Sequence, residues 1–209
     1  MAGHLPIISL MQDSLSRDAR LALDLALTIR QDGHGGVVDD LAEPVGLTAW
    51  VRGHPDAVAE PAGFVADEGA LAAVRDVREA VRALFAHAVR PDEPSPADAT
   101  RLMPVHQAVE RLNAAAARTP TVPVLHWADG TEPEAHRQAA QGAGELTAVL
   151  AQAAIAFLAG PDRPRLRACH APRCVRYFLK EHPRQEWCRP ACGNRARVAR
   201  HHERHKKAA

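Results

Sequence analysis

All four cysteines of this 209-residue chain fall between Cys169 and Cys192. They form two tight pairs: Cys169 and Cys174 enclose four residues, Cys188 and Cys192 enclose three, and thirteen residues separate the pairs. A tight pair lets one turn of backbone aim two sulfurs at the same ion, and a spacer of that length lets a hairpin return the second pair. Four thiolates suit tetrahedral Zn²⁺, and a closed shell leaves no open position for substrate water. The spacing therefore predicts one structural Zn²⁺ held by Cys169, Cys174, Cys188 and Cys192. Disulfide or redox pairing is the competing chemistry, but neither pair is C-x-x-C and no export signal is visible. His170, His182, His201 and His202 are alternative ligands that four paired cysteines make unnecessary. Tyr177, Phe178, Leu179 and Trp187 are expected to pack on the metal-bearing turns of a module too small for its own core. Gly193 is expected to let backbone N–H groups approach a thiolate, and Arg173, Arg176, Arg189 and Arg195 to offset the cluster's negative charge.

Beyond the last cysteine the chain turns strongly cationic. Residues 193 to 207 carry Arg195, Arg197, Arg200, Arg204, Lys206 and Lys207, interleaved with His201, His202 and His205, and Glu203 is the one acid. As a helix this stretch is about 22 Å long, and Arg197, Arg200, His201 and Arg204 share a face. Val198 is its one apolar side chain larger than alanine, so the helix must lie mostly in water. Arginines on a metal-anchored helix can reach phosphates and guanine edges. Asn194, Arg195, Arg197, Arg200, Arg204, Lys206 and Lys207 are thus the candidate DNA contacts. A solvated basic end, an RNA partner or an acidic protein partner would use the same charges.

The charge distribution agrees. Net charge is +1, yet residues 161–209 hold 14 basic against 4 acidic side chains, and the first 160 hold 12 against 21. An acidic body joined to a basic end is the footprint of a polyanion-binding segment.

The string WCRPACGNRARVARHHERHK, with Cys169 and Cys174 upstream, resembles the C-terminal signature of the CGNR zinc-finger family, bacterial proteins described as stress-induced transcription regulators. Cys192-Gly193-Asn194-Arg195 matches the name-giving tetrapeptide and Trp187-Cys188 the pair before it. LALDLALTIR followed by DDLAEPVGLTAW is more loosely similar to that family's opening region. After the first cysteine pair the family's Phe-x-Asp-x-Ser-like stretch reads Phe178-Leu179-Lys180-Glu181-His182 here, and its early Asn-Thr reads Leu27-Thr28. The resemblance implies a zinc-dependent DNA-binding regulator, not an enzyme, with a helical N-terminal domain over residues 1–160 that senses a small-molecule effector or forms a homodimer. A treble-clef-like finger over residues 161–209 then ends in the basic helix.

The elements that must carry this module read as mainly α. Residues 17–31 suit a helix that Gly33, Gly35 and Gly36 break, and Asp39–Val51 a second, short one. Residues 69–90 place Val74, Val77, Val81, Leu84, Phe85 and Ala88 on one face, which leaves Arg75, Asp76, Arg78, Glu79 and Arg82 for water. Pro91–Pro96 is a linker, and Ser95-Pro96 can open a further helix that Pro104 kinks or truly starts. Thr121–Trp127 with Asp129-Gly130 suits a small β-hairpin. The last helix of the body is expected from about Pro133 to Leu158, with Leu146, Leu150, Ala153 and Phe157 inward, before Gly160-Pro161 ends it. No membrane span and no secretory leader are apparent, which points to the cytoplasm. The body itself offers no catalytic constellation: its histidines are scattered, and Asp24 stands alone in an apolar run.

Overall fold

The structure, a computed structural model, describes residues 16–32, 36–57, 63–98, 102–140 and 145–208. Gly33, Gly35 and the side chain of Lys207 lie outside the described residues. Helix α1 (Arg17–Ala26) starts at Ser16, whose hydroxyl accepts from Ala19 N at 3.1 Å, and buries Ala19, Leu21, Ala22, Leu25 and Ala26. It stops earlier than its composition predicts. Ile29–Gln31 instead form strand β1, antiparallel to β2 (Val37–Asp39) with Arg30 opposite Val38. The β-branched residues Thr28, Ile29, Val37 and Val38 favour that pairing over helix. Helix α2 (Pro44–Arg52) correspondingly begins beyond Asp39, with Pro44 in its first turn.

Helix α3 (Glu68–Ala88) is the axis of the body. The Asp67 carboxylate caps it by accepting from Ala70 N. Every residue from Ala80 to Ala86 is buried, so two turns of the helix are enclosed on all sides, and the side chains of Arg78 and Arg82 are buried as well. After a 3₁₀ turn at Pro96–Asp98, helix α4 (Val105–Ala117) begins directly behind Pro104, which marks the helix start because it supplies no N–H. Strands β3 (Thr121–His126) and β4 (Glu134–Ala139) form the expected hairpin, with Gly130 at φ +77° in the connection. The final body helix, α5 (Leu146–Ala159), is shorter than its sequence suggests, because residues 134–139 pair with β3 instead. It packs against α1, α3 and α4, and Leu150, Ala154 and Phe157 are buried within that bundle.

Beyond Gly160 lie a short antiparallel hairpin, β5 (Leu166–Ala168) and β6 (Tyr177–Leu179), and helix α6 (Pro190–Ala208). A cysteine-bearing hairpin followed by a helix is the expected treble-clef-like ending. The hairpin is not a separate small core. Leu166, Ala168, Tyr177 and Leu179 belong to the main hydrophobic cluster, whereas Phe178 joins the cysteines. Alternation along β6 explains the division, since neighbouring side chains of a strand point to opposite faces.

Candidate metal centre and nucleic-acid interface

The first cysteine pair sits on the turn joining β5 to β6. Cys169 N donates to Arg176 O at 2.9 Å and Cys174 N to Ala171 O at 2.9 Å, which curls the backbone around both sulfurs. Arg173 completes the turn at φ +64°, a left-handed conformation that costs a non-glycine residue on the order of 1 kcal/mol. Cys188 precedes α6, and Cys192 lies in its first turn, where the positive helix end favours anionic sulfur. All four Sγ atoms fall within 4.8 Å of one another. Tetrahedral Zn–S bonds of about 2.3 Å place sulfurs about 3.8 Å apart; Cys174 and Cys188 are separated by 3.7 Å and Cys188 and Cys192 by 3.5 Å. The donor set and its spacing fit one zinc ion.

Crowding polarises the thiols. Hydrogen bonds from the Cys174 and Cys188 thiols hold Cys169 down to about 2. Those same bonds to Cys169 push Cys174 up to about 11 and Cys188 further still. A dication is what lets all four become thiolates together. Bound Zn²⁺ would fix the hairpin to the start of α6 and, with four sulfur ligands, would have no position left for substrate.

The surrounding side chains trim the charge and seal the site. Arg195 Nη2 donates to Cys192 Sγ at 3.1 Å, and a hydrogen bond to Cys192 raises Arg189 above its ordinary value. Trp187 and Phe178 pack against the cysteines. Gly193 also faces the Trp187 indole. A Cβ there would stand 3.0 Å from Trp187 Cδ1, so a larger residue would make the half-buried indole give way by a few tenths of an ångström.

Along α6 the candidate nucleic-acid residues separate into two groups. Asn194, Arg197, Arg200, Arg204 and Lys206 are exposed. Asn194 Oδ1 accepts from Arg197, while Arg200 and Arg204 extend from carbonyls one turn back. Among the described residues no carboxylate pairs with any of these cations. Arg195 points the other way: besides Cys192, its Nη1 donates to Gln31 Oε1 on β1 at 2.9 Å, and its Nε is buried without a partner. It links the metal centre to the body and leaves the outward-facing set.

A buried polar network, which the sequence alone does not reveal, makes a second link. Arg82 Nε and Nη2 donate to the Asp98 carboxylate at 2.8 and 2.9 Å, and Arg82 Nη1 to Ala26 O at 2.6 Å. The Tyr177 hydroxyl of β6 donates at 2.7 Å to Asp98 Oδ2, the oxygen that also accepts from Arg82 Nη2, and Ser95 Oγ donates to Val175 O at 2.9 Å. Burial first, then the neighbouring Asp98 charge, drives the Tyr177 hydroxyl far above its ordinary value, so it remains a donor. Nearby, Arg78 Nη2 donates to Asp39 Oδ2 at 2.7 Å and Nη1 to Thr28 Oγ1 at 3.0 Å. Each buried guanidinium is matched by a carboxylate and a further acceptor, as desolvation demands.

A pairing of titratable groups lies beside a cavity in the body. His54 stacks on Trp50 with ring centroids 4.0 Å apart, and its Nε2 lies 3.5 Å from Asp24 Oδ2. The hydrogen bond to Asp24 outweighs burial and raises the imidazole above its ordinary value. Asp24 and His54 line a cavity of about 300 Å³ together with Arg17, Arg20, Leu21, Gly53 and Pro55. Asp24, an unexplained carboxylate in the sequence, finds its partner here.

With these features in place, the chain falls in the class of zinc-finger regulators. Residues 19–161 match the family described as "Putative stress-induced transcription regulator", and residues 165–205 match the CGNR zinc finger. The first match spans most of the chain, and this protein belongs to that family of regulators carrying a C-terminal CGNR finger. Neither is an enzyme family. No curated protein matches the chain. Among the described residues, no helix is long and apolar enough to cross a membrane.

Proposed function

We propose that this protein is a transcription regulator that binds duplex DNA through α6, with Cys169, Cys174, Cys188 and Cys192 holding the zinc that orients the helix. The observation that carries this reading is the exposed cationic face formed by Arg197, Arg200 and Arg204, none of them paired with a carboxylate among the described residues. Nineteen helical residues extend about 28 Å, and a helix of ordinary diameter fits the major groove. Arg197, Arg200, Arg204, Lys206 and Lys207 supply phosphate or base contacts, and Asn194 stands at the start of the same face. Arg195 is a positioning residue in this scheme. The cavity beside Asp24 and His54 is the candidate place in the body for a small polar effector.

The test is affinity for random duplex DNA as a function of salt. Five phosphate contacts predict that log K falls with log salt at a slope of roughly −4 to −5. Arg200→Ala and Arg204→Ala should each make that slope shallower by about one unit. A slope near zero, or tighter binding to an RNA or an acidic peptide than to DNA, would overturn the DNA reading.

A further inference from the structure

The cysteine cluster is not the one arrangement suited to a metal ion. On the exposed outer half of α6, His201 and His205 lie one helical turn apart with their Nε2 atoms 3.1 Å from each other and ring centroids 4.3 Å apart. Two bonds of the length typical for imidazole nitrogen on a first-row dication, about 2.0–2.1 Å, span that gap at an angle of roughly 95–100°. This lies between octahedral and tetrahedral requirements. We propose that His201 and His205 form a second, solvent-open site for an imidazole-preferring divalent transition ion such as Zn²⁺, Ni²⁺ or Cu²⁺.

The geometry differs in kind from the cysteine centre. A pair of histidines at i and i+4 is the helical arrangement that brings two imidazoles onto one ion. His202, next in the chain, has its ring centroid 6.1 Å from that of His201. Among the described residues, only the four cysteines bring three or more ligand groups together. The site is therefore a two-point clamp whose remaining positions stay with water or an incoming oxygen or nitrogen donor. Arg197 lies one turn before His201 and Arg204 beside His205, so a bound ion adds positive charge to the helix face already described. The clamp stands whether or not that face meets DNA.

Nickel titration of the zinc-loaded, full-length chain without a histidine tag tests this directly, by calorimetry with zinc release followed in parallel. The expected result is one Ni²⁺ bound per chain with the structural zinc retained. His201→Ala and His205→Ala should each weaken nickel binding by roughly tenfold or more, as a two-point attachment becomes one-point. Both rings are exposed, so these variants should keep the wild-type circular dichroism spectrum. A control is needed because His126 and His136 also meet across β3 and β4, with centroids 5.1 Å apart. The double variant His126→Ala/His136→Ala, like His202→Ala, should leave nickel affinity within about twofold of wild type. Unchanged affinity in His201→Ala, loss confined to the His126/His136 variant, or zinc released in proportion to nickel bound would each overturn the proposal.

Discussion

Replacing Asp98 by alanine strips a buried guanidinium of its counter-charge and a buried tyrosine of its acceptor in one step. Arg82 and Asp98 are 5% and 8% exposed at the side chain, and Tyr177 is fully buried. Breaking a pair at that depth costs about 3–5 kcal/mol, because the remaining charge stays desolvated. The milder variant Tyr177→Phe removes one hydrogen bond to a carboxylate that Arg82 still holds, at about 1.5–3 kcal/mol. For a chain of this size, about 1 kcal/mol moves the melting midpoint by roughly 2–4 °C, so Asp98→Ala should lose roughly 6–20 °C and Tyr177→Phe roughly 3–12 °C. The decisive assay is urea unfolding followed by far-ultraviolet circular dichroism and by a chromophoric zinc chelator in the same samples. Tyr177 sits on the hairpin that carries the first two cysteines, while Arg82 belongs to the body. Both signals should therefore shift together to lower urea. If Asp98→Ala moves the helical transition and leaves zinc release where it was, the finger folds on its own and the argued coupling is wrong.

Three further outcomes follow from particular contacts. Gly193→Ala places a methyl group 3.0 Å from the Trp187 indole. Overpacking of about 1–3 kcal/mol is offset by about 1 kcal/mol of helix propensity gained on replacing glycine, so the net loss in thermal unfolding should be about 0–2 kcal/mol, with a change in tryptophan fluorescence. Arg195→Ala should speed zinc loss to a competing chelator while leaving the salt slope for DNA unchanged, whereas Arg204→Ala should do the reverse. Two pH effects of opposite sign are expected. Burial alone would raise the Asp39 carboxyl, but the Arg78 hydrogen bonds and charge outweigh it and leave it below the ordinary carboxylate value. Its contribution is present above the unfolded value and is lost as pH falls through the folded one. The Asp24–His54 pair, with His54 raised, contributes fully below the unfolded imidazole value and loses that contribution as pH climbs through the folded value. Asp39→Asn should flatten the acid limb of a stability–pH curve and His54→Gln the limb that runs up in pH from the ordinary imidazole value.

The metal centre could be read from the chain because its information is local: spacing of four cysteines, a tryptophan before the second pair and a glycine after it. Buried arginines are the opposite case. In the repeat of α3, Arg78 and Arg82 look like the solvent side of an amphipathic helix, and only partners 39 and 16 residues away, Asp39 and Asp98, make their burial tolerable. Nothing in a 3.6-residue period reports such partners. The same limit explains α1 and α5. Helical composition runs past the end of α1 and the start of α5, because short strands, Ile29–Gln31 and Glu134–Ala139, take their pairing energy from segments elsewhere in the chain. Arg195 carries two expectations, offsetting the cluster's charge and contacting DNA, and its bonds to Cys192 Sγ and Gln31 Oε1 favour the first. In a cationic run, charge suggests an outward role, and only the position of Gln31 beside the cysteine cluster turns this one guanidinium inward.

These long-range pairings also bear on how a signal in the body could reach the metal centre. Tyr177 and Phe178 are adjacent, yet the first is bound to Asp98 inside the body and the second packs on the cysteines. A strand cannot shift one without moving the other. Arg195 adds a second tie from Cys192 to β1, which follows directly on α1, the helix that supplies Asp24 to the cavity. A ligand that reorganised the Asp24–His54 pair would thus act on a helix continuous with the strand that Arg195 grips. A double-mutant cycle pairing Asp24→Asn with Gln31→Ala, read as zinc-release rate, should give a non-zero interaction if that route carries energy. Strict additivity would show that the cavity and the finger share a core without sharing a signal.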